Sequence, residues 1–312
     1  MQTVKQLFSI YQKRCNLAES SITIKERAVQ LFLDLFGDLA VGQISEEHAE
    51  AYKASLLNGR RSKSSANIYL ANLKPFFAWL AAKDYIGKNP FALIKKYQDE
   101  RKVRPIFTPT EIQRILAVAD ARWTAIVLLS ARHSLRRSEI LNVCRPDIQG
   151  KWLHVCSKRQ RQDGWQWQIK NYAESLVLLS QPVTDAFAEL QAELPIAQPY
   201  LLVKPRMYRQ LMHLQAENSL TWQLRNCPYS NFDRSFKTLL KRASVFPRRF
   251  QDLRASYCTQ LLKGGMRLDE VSRLMRHSTI QTTQQFYTRY EPRELAEKSD
   301  EIMNQFYAAK VL

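Results

Sequence analysis

Residues 95–105 read KKYQDERKVRP, and this stretch decides how the chain is divided. It is polar, strongly charged, closed by Pro105, and has no apolar periodicity that a core could use. Read outward from it, the chain falls into residues 1–98, a linker over 99–107, and residues 108–312. On the N-terminal side the spacing is helical throughout. Ile22, Ala28, Leu31, Phe32, Leu35 and Phe36 recur at helical intervals, and Gly37 supplies a stop. Ser45 is placed to cap a helix over 46–57 that ends before Gly59. A longer helix over 64–84 carries Ile68, Leu70, Leu73, Phe76, Phe77, Trp79 and Leu80, with Pro75 expected to kink or split it. Its aromatic residues read as core. On the C-terminal side, Thr108-Pro109-Thr110-Glu111 combines an N-cap, a proline at the first helical position and a glutamate at the third, which is a capping box. From 148 to 180 the period changes to two: Trp152, His154 and Cys156 alternate with Leu153 and Val155, Asp163-Gly164 signals a hairpin, Trp165, Trp167 and Ile169 continue the alternation, and Leu176–Leu179 forms a short apolar run. After Pro182 the spacing is helical again. The fold expected is mainly α: a helical N-terminal domain and an α+β domain of mostly helices with a small antiparallel sheet of two or three strands.

Length and charge narrow the function. At 312 residues the chain can hold two domains with separate cores. Lys and Arg number 47 against 29 Asp and Glu, a net charge of +18. That surplus is the electrostatic footprint of a nucleic-acid binder, the bland alternative being a basic protein with an RNA or acidic partner. The five cysteines are scattered, with no C-x-x-C pair, which argues against a disulfide framework or zinc module and for a reducing compartment. The sequence offers no metal-ligand spacing, no apolar run long enough for a membrane span, and no signal-peptide pattern, so the expected location is the cytoplasm, at the nucleoid.

Cleaving a phosphodiester needs a nucleophile, cations to hold the non-bridging oxygens as charge builds on them, and an acid for the leaving 5′-oxygen. Arginine suits the second task because its planar fork grips two oxygens. Ser134-Leu135-Arg136-Arg137-Ser138-Glu139-Ile140-Leu141 resembles the first arginine box of the tyrosine recombinases, also called the phage integrase family. Gln251-Asp252-Leu253-Arg254 resembles the second box and Leu274-Met275-Arg276-His277-Ser278 the third, with Tyr287 ten residues after His277. Their order covers most of the chain.

The resemblance implies a DNA strand transferase. Arg136 and Arg254 would clamp the scissile phosphate, His277 would hydrogen-bond it in the pentacoordinate state, and Tyr287 would attack phosphorus to give a 3′-phosphotyrosyl link. Tyr290 is the second choice of nucleophile, and Glu139 could orient a side chain. The family's catalytic lysine lies on the turn before the last strand of the small sheet; Lys170 fits that position better, and Lys158 competes. Two departures stand out. Gln251 replaces a histidine, so it can donate a hydrogen bond but not move a proton. Arg276 replaces a glycine. The resemblance further implies residues 1–98 as a DNA-clamping domain, double-stranded DNA as partner, four protomers on two duplexes, a C-terminal amphipathic segment from 292 that docks on its own or a neighbouring protomer, and no cofactor or metal. Arg60, Arg61, Lys63, Lys158, Arg159, Arg161, Arg248 and Arg249 are candidates for DNA contact, which would set affinity and salt dependence. A mobile-element integrase is the reading. A catalytically impaired DNA-binding homologue, a chromosome-dimer resolvase, a type IB topoisomerase and a helix-turn-helix regulator over 268–290 are the alternatives, the last leaving the first box unexplained.

Overall fold

The computed structural model describes residues 2–14, 19–57, 61–98, 105–159, 161–170, 174–229, 231–284 and 299–300. The chain divides into two compact units, Met1–Lys102 and Val103–Leu312.

The N-terminal unit holds α1 (Val4–Arg14), α2 (Glu19–Phe36), α3 (Glu46–Ser55) and α4 (Lys63–Ala82). Gly37 ends α2 at φ +75°, a conformation that only glycine adopts without penalty. At the start of α3 the Ser45 N–H donates to Nδ1 of His48, so a histidine closes the capping box. Of the kink or split expected at Pro75, the split does not occur: helix α4 runs as one element through Pro75. An interior proline costs about 3 kcal/mol. The next two residues, Phe76 and Phe77, are both 0% exposed, and burying each contributes about 2–3 kcal/mol, so packing outweighs the proline. Phe76 and Phe77 meet Phe8, Tyr11, Phe32 and Phe91 in an aromatic core.

The C-terminal unit begins before the expected linker ends. Phe107 is fully buried in its core, and its N–H donates to Ser256 Oγ at 2.8 Å. Then follow α5 (Pro109–Ala117), α6 (Ala121–Ala131), α7 (Arg137–Leu141), β1 (Ile148–Gln149), β2 (Trp152–Val155), β3 (Ser175–Leu178), α8 (Gln181–Glu193), α9 (Pro205–Ala216), α10 (Trp222–Asn226), α11 (Phe232–Arg242), α12 (Gln251–Lys263), α13 (Leu268–Leu274) and α14 (Ile280–Gln284). The Thr108 box forms as read: Thr108 Oγ1 accepts from the Glu111 N–H, and Glu111 Oε2 from the Thr108 N–H. Helix α6 is buried from Ala125 to Ala131 and packs on α7, α8 and α12, as an apolar helix without a polar face must.

The sheet is antiparallel in the order β1-β2-β3, with Leu153 opposite Val177 and His154 opposite Leu176. Leu153 and Val155 face the core, while Trp152, Leu176 and Leu178 stay exposed. Trp165, Trp167 and Ile169 are buried but form no strand; the hairpin beyond β2 is held by isolated bridges, Lys158 to Trp167 and Arg161 to Gly164. Trp165 stacks on Tyr200 with ring centroids 3.8 Å apart. A Cβ on Gly164 would lie 2.9 Å from the Tyr200 hydroxyl, so this close approach demands glycine.

Candidate active site

Two turns with left-handed backbone create the site. One leads from α6 into α7 and contains Ser134, φ +61°; the other follows α13 and contains Arg276, φ +52°. They pack together: the Ser134 hydroxyl donates to Met275 Sδ at 3.1 Å. Helix α12 supplies Arg254 from below. Its Nη1 donates to the Ser134 carbonyl and its Nη2 to the Met275 carbonyl. Arg136 caps the start of α7; its Nη1 donates to Glu139 Oε1 at 2.7 Å and its Nη2 to the Arg276 carbonyl at 3.3 Å. Arg276 Nη2 donates to Glu139 Oε2 at 2.8 Å and to the Ser134 carbonyl at 3.0 Å. Arg136, Arg254 and Arg276, far apart in sequence, thus surround two turns and one carboxylate.

That carboxylate bonds Arg136 and Arg276, and no other carboxylate bonds any of the three guanidinium groups among the described residues. Three cations and one anion leave an excess of positive charge. The excess is felt in the site: burial, then repulsion from Arg136 and Arg276, pulls the Arg254 guanidinium down to about 9. His277 is pulled to about 4 by burial and then by Arg254 and Arg136, so it is neutral near pH 7. Its Nδ1 lies 2.8 Å from the Thr283 hydroxyl of α14, which fixes the ring. A site short of negative charge, with guanidinium forks at its surface, suits a phosphate.

Arg136, Arg254, Gln251 and Lys170 line one cleft with about 650 Å³ of space. Lys158 does not reach it. Its ammonium turns inward onto Asp147 at 2.6 Å, with Cys156 Sγ at 3.3 Å. Of the other basic candidates, Arg161 pairs with Asp163 at 2.7 Å, and Arg159 lies beside it on the hairpin. Arg248 is held by Glu111 and lies over the Phe107 ring, which ties α5 to the entry of α12. Arg249 is more open, bonded to Asp252, and lines with Arg137, Lys237 and Gln251 a neighbouring basic groove. Arg61 lies over the Tyr69 ring and Lys63 begins α4, both in the N-terminal unit. Arg60, Tyr287, Tyr290 and the C-terminal segment apart from 299–300 lie outside the described residues.

Sequence reasoning did not find the contacts of Arg276, Thr283 and Asp147. For Arg276 a signal existed, a long cation where the related boxes carry glycine. For Asp147 and Thr283 no local pattern marks the partner.

A family model described as the phage integrase family matches residues 105–294. A XerC-like tyrosine recombinase of Caldanaerobacter subterraneus subsp. tengcongensis is 24% identical over 267 residues, covering 75% of this chain and 65% of that protein. A tyrosine recombinase of Thermosipho africanus is 23% identical over 300 residues, covering 91% and 94%. Among solved structures, the Tn1549 transposon integrase in complex with a circular-intermediate DNA superposes with TM-score 0.72 at 20% identity, covering 96% of this chain and 100% of that one. A lambda integrase dimer bound to a COC′ core site gives 0.67 at 14% identity, covering 91% and 95%. The family match spans more than half of the chain and contains all three arginine boxes, and the chain therefore belongs to the phage integrase family, the site-specific tyrosine recombinases that cleave and rejoin DNA.

Proposed function

We propose that the chain cleaves one DNA strand with Tyr287 and rejoins it to a partner strand. The observation that carries this is the convergence of Arg136 and Arg254, with Lys170 and Gln251, on one cleft beside the turn of His277. In the forward step the Tyr287 hydroxyl releases its proton to water as its oxygen bonds to phosphorus, and the bond from phosphorus to the 5′-oxygen breaks. Arg136 and Arg254 neutralise the non-bridging oxygens, where charge grows. Neutral His277 and Gln251 donate hydrogen bonds to the phosphate. Lys170 hands a proton to the leaving 5′-oxygen. A 5′-hydroxyl from the partner strand then attacks the 3′-phosphotyrosyl link, which restores the tyrosine. Rejoining needs no outside energy, because the covalent link conserves that of the broken bond.

The N-terminal unit, with Arg61 and Lys63, acts as the DNA clamp, and four protomers hold two duplexes at the nucleoid. A mobile element is the reading, and chromosome-dimer resolution, which the XerC-like relative suggests, is the second. The direct test is a pool of nicked suicide duplexes of randomised sequence, which needs no known site. The wild-type chain should form an adduct that survives detergent and is destroyed by protease. Selective binding of duplexes without any adduct would overturn catalysis and leave a DNA-binding homologue.

A further inference from the structure

Arg276 stands in the left-handed region, which any residue with a Cβ disfavours. The chain nevertheless holds a long charged side chain there, and that side chain is 11% exposed. Its anchors come from three elements. Nη2 bonds Glu139 Oε2 on α7 at 2.8 Å and the Ser134 carbonyl at 3.0 Å, and Nη1 bonds Ser175 Oγ at the start of β3 at 3.0 Å. Among the described residues its Nε is buried without a hydrogen-bond partner, a loss the site accepts in keeping the cation. Glu139, 1% exposed in its side chain, lies between two guanidinium groups: Arg136 takes Oε1 at 2.7 Å and Arg276 takes Oε2. With Arg276 absent, the Glu139 charge would fall on Arg136 alone and cancel what Arg136 offers a phosphate. With Arg276 present, Glu139 is matched by a second cation, one that is not among the cleft's lining residues, and Arg136 keeps its charge for the scissile group.

We propose that Arg276 is a positioning residue for strand cleavage: it neutralises and fixes Glu139, so that Arg136 stays fully cationic toward the phosphate, and it pins the turn that carries His277. This rests on the cleavage reading above.

The test uses the full chain and compares single-turnover adduct formation with DNA affinity for Arg276→Gly, Arg276→Met, Arg276→Lys, Glu139→Gln and the Arg276→Gly/Glu139→Gln double variant. Glycine relieves the backbone and methionine fills the space without charge. Both should slow adduct formation by about tenfold to a hundredfold, the effect of a small displacement of catalytic groups, while DNA affinity changes by less than about threefold. Lysine, which keeps the charge, should recover part of the rate. With Glu139→Gln in place, Arg276→Gly should cost far less, because no anion is left to neutralise. The methionine variant covers the case in which the glycine variant does not fold. Cleavage by the methionine variant within twofold of wild type, or an equal loss in both backgrounds, would overturn the proposal. Absence of an adduct from the wild type would overturn the cleavage reading itself, which separates the two failures.

Discussion

Two basic clusters in the C-terminal unit look alike by composition and differ in how their charge is balanced. On the hairpin beyond β2 two cations have carboxylates of their own: Lys158 sits 2.6 Å from Asp147 and Arg161 sits 2.7 Å from Asp163. Between α7, α12 and the turn after α13, Arg136 and Arg276 share Glu139, and Arg254 bonds only the Ser134 and Met275 carbonyls among the described residues. The exposed Arg161 pair is worth about 1 kcal/mol at most. The Lys158 pair is buried, and removing one partner of such a pair costs about 3–5 kcal/mol. Lys158 therefore belongs to the scaffold and Lys170 to the cleft. Availability to a phosphate follows from a shortage of carboxylates, and abundance of Lys and Arg does not reveal it.

Swapping the lysines should produce the largest contrast. Lys170→Ala should slow adduct formation by about 10²–10⁴-fold, the usual weight of a general acid, with the melting temperature little changed. Lys158→Ala should do the reverse, keeping the rate per folded molecule and losing about 3 kcal/mol of stability. Full cleavage by Lys170→Ala alongside a dead, well-folded Lys158→Ala would reverse the assignment. Within the cleft, Arg254→Ala should cost about 10²–10³-fold in adduct formation, as for loss of one preorganised donor to a developing negative charge. Arg161→Ala, the corresponding deletion on the balanced hairpin, should leave that rate within about twofold. Equal losses at the two positions would erase the distinction between the clusters.

Stability should also depend on pH. His133 accepts the Ser180 N–H on Nε2 at 3.3 Å and is held near 4 by burial and by Arg132. His277 is likewise held near 4. Between 4 and the ordinary 6.5 the unfolded chain binds protons that the folded chain refuses. These histidines thus stabilise the fold fully above about 6.5, and their contribution is lost as pH falls toward 4. Urea midpoints should drop from pH 7 to pH 5, and His133→Asn should flatten that slope. An unchanged midpoint for wild type would contradict the burial of both rings.

Much of this was readable in advance, for identifiable reasons. The capping box at Thr108 and the helix over Glu19–Phe36 are local, so spacing alone reveals them. The arginine boxes are also local, and their order announced the family. What stayed hidden depends on tertiary pairing. The choice between Lys158 and Lys170 turns on Asp147, which only the fold around β1 and β2 brings to Lys158. Pro75 inside α4 is tolerated because Phe76 and Phe77 have a core to enter. Phe107 looks like linker because charged residues precede it, yet α12 offers it Ser256 and a core. For Glu139 the sequence suggests an orienting role and names no partner, because Arg276 closes over it from a turn far along the chain.

Whether the guanidinium cluster serves one tyrosine is decided by peptide mapping of the trapped adduct. Trypsin cuts after Arg276, Arg289 and Arg293, so Tyr287 lies in the fragment HSTIQTTQQFYTR and Tyr290 in YEPR. Nucleotide mass on the first fragment, at Tyr287, is the predicted result. Nucleotide mass on YEPR, or on any fragment from elsewhere in the chain, would contradict it.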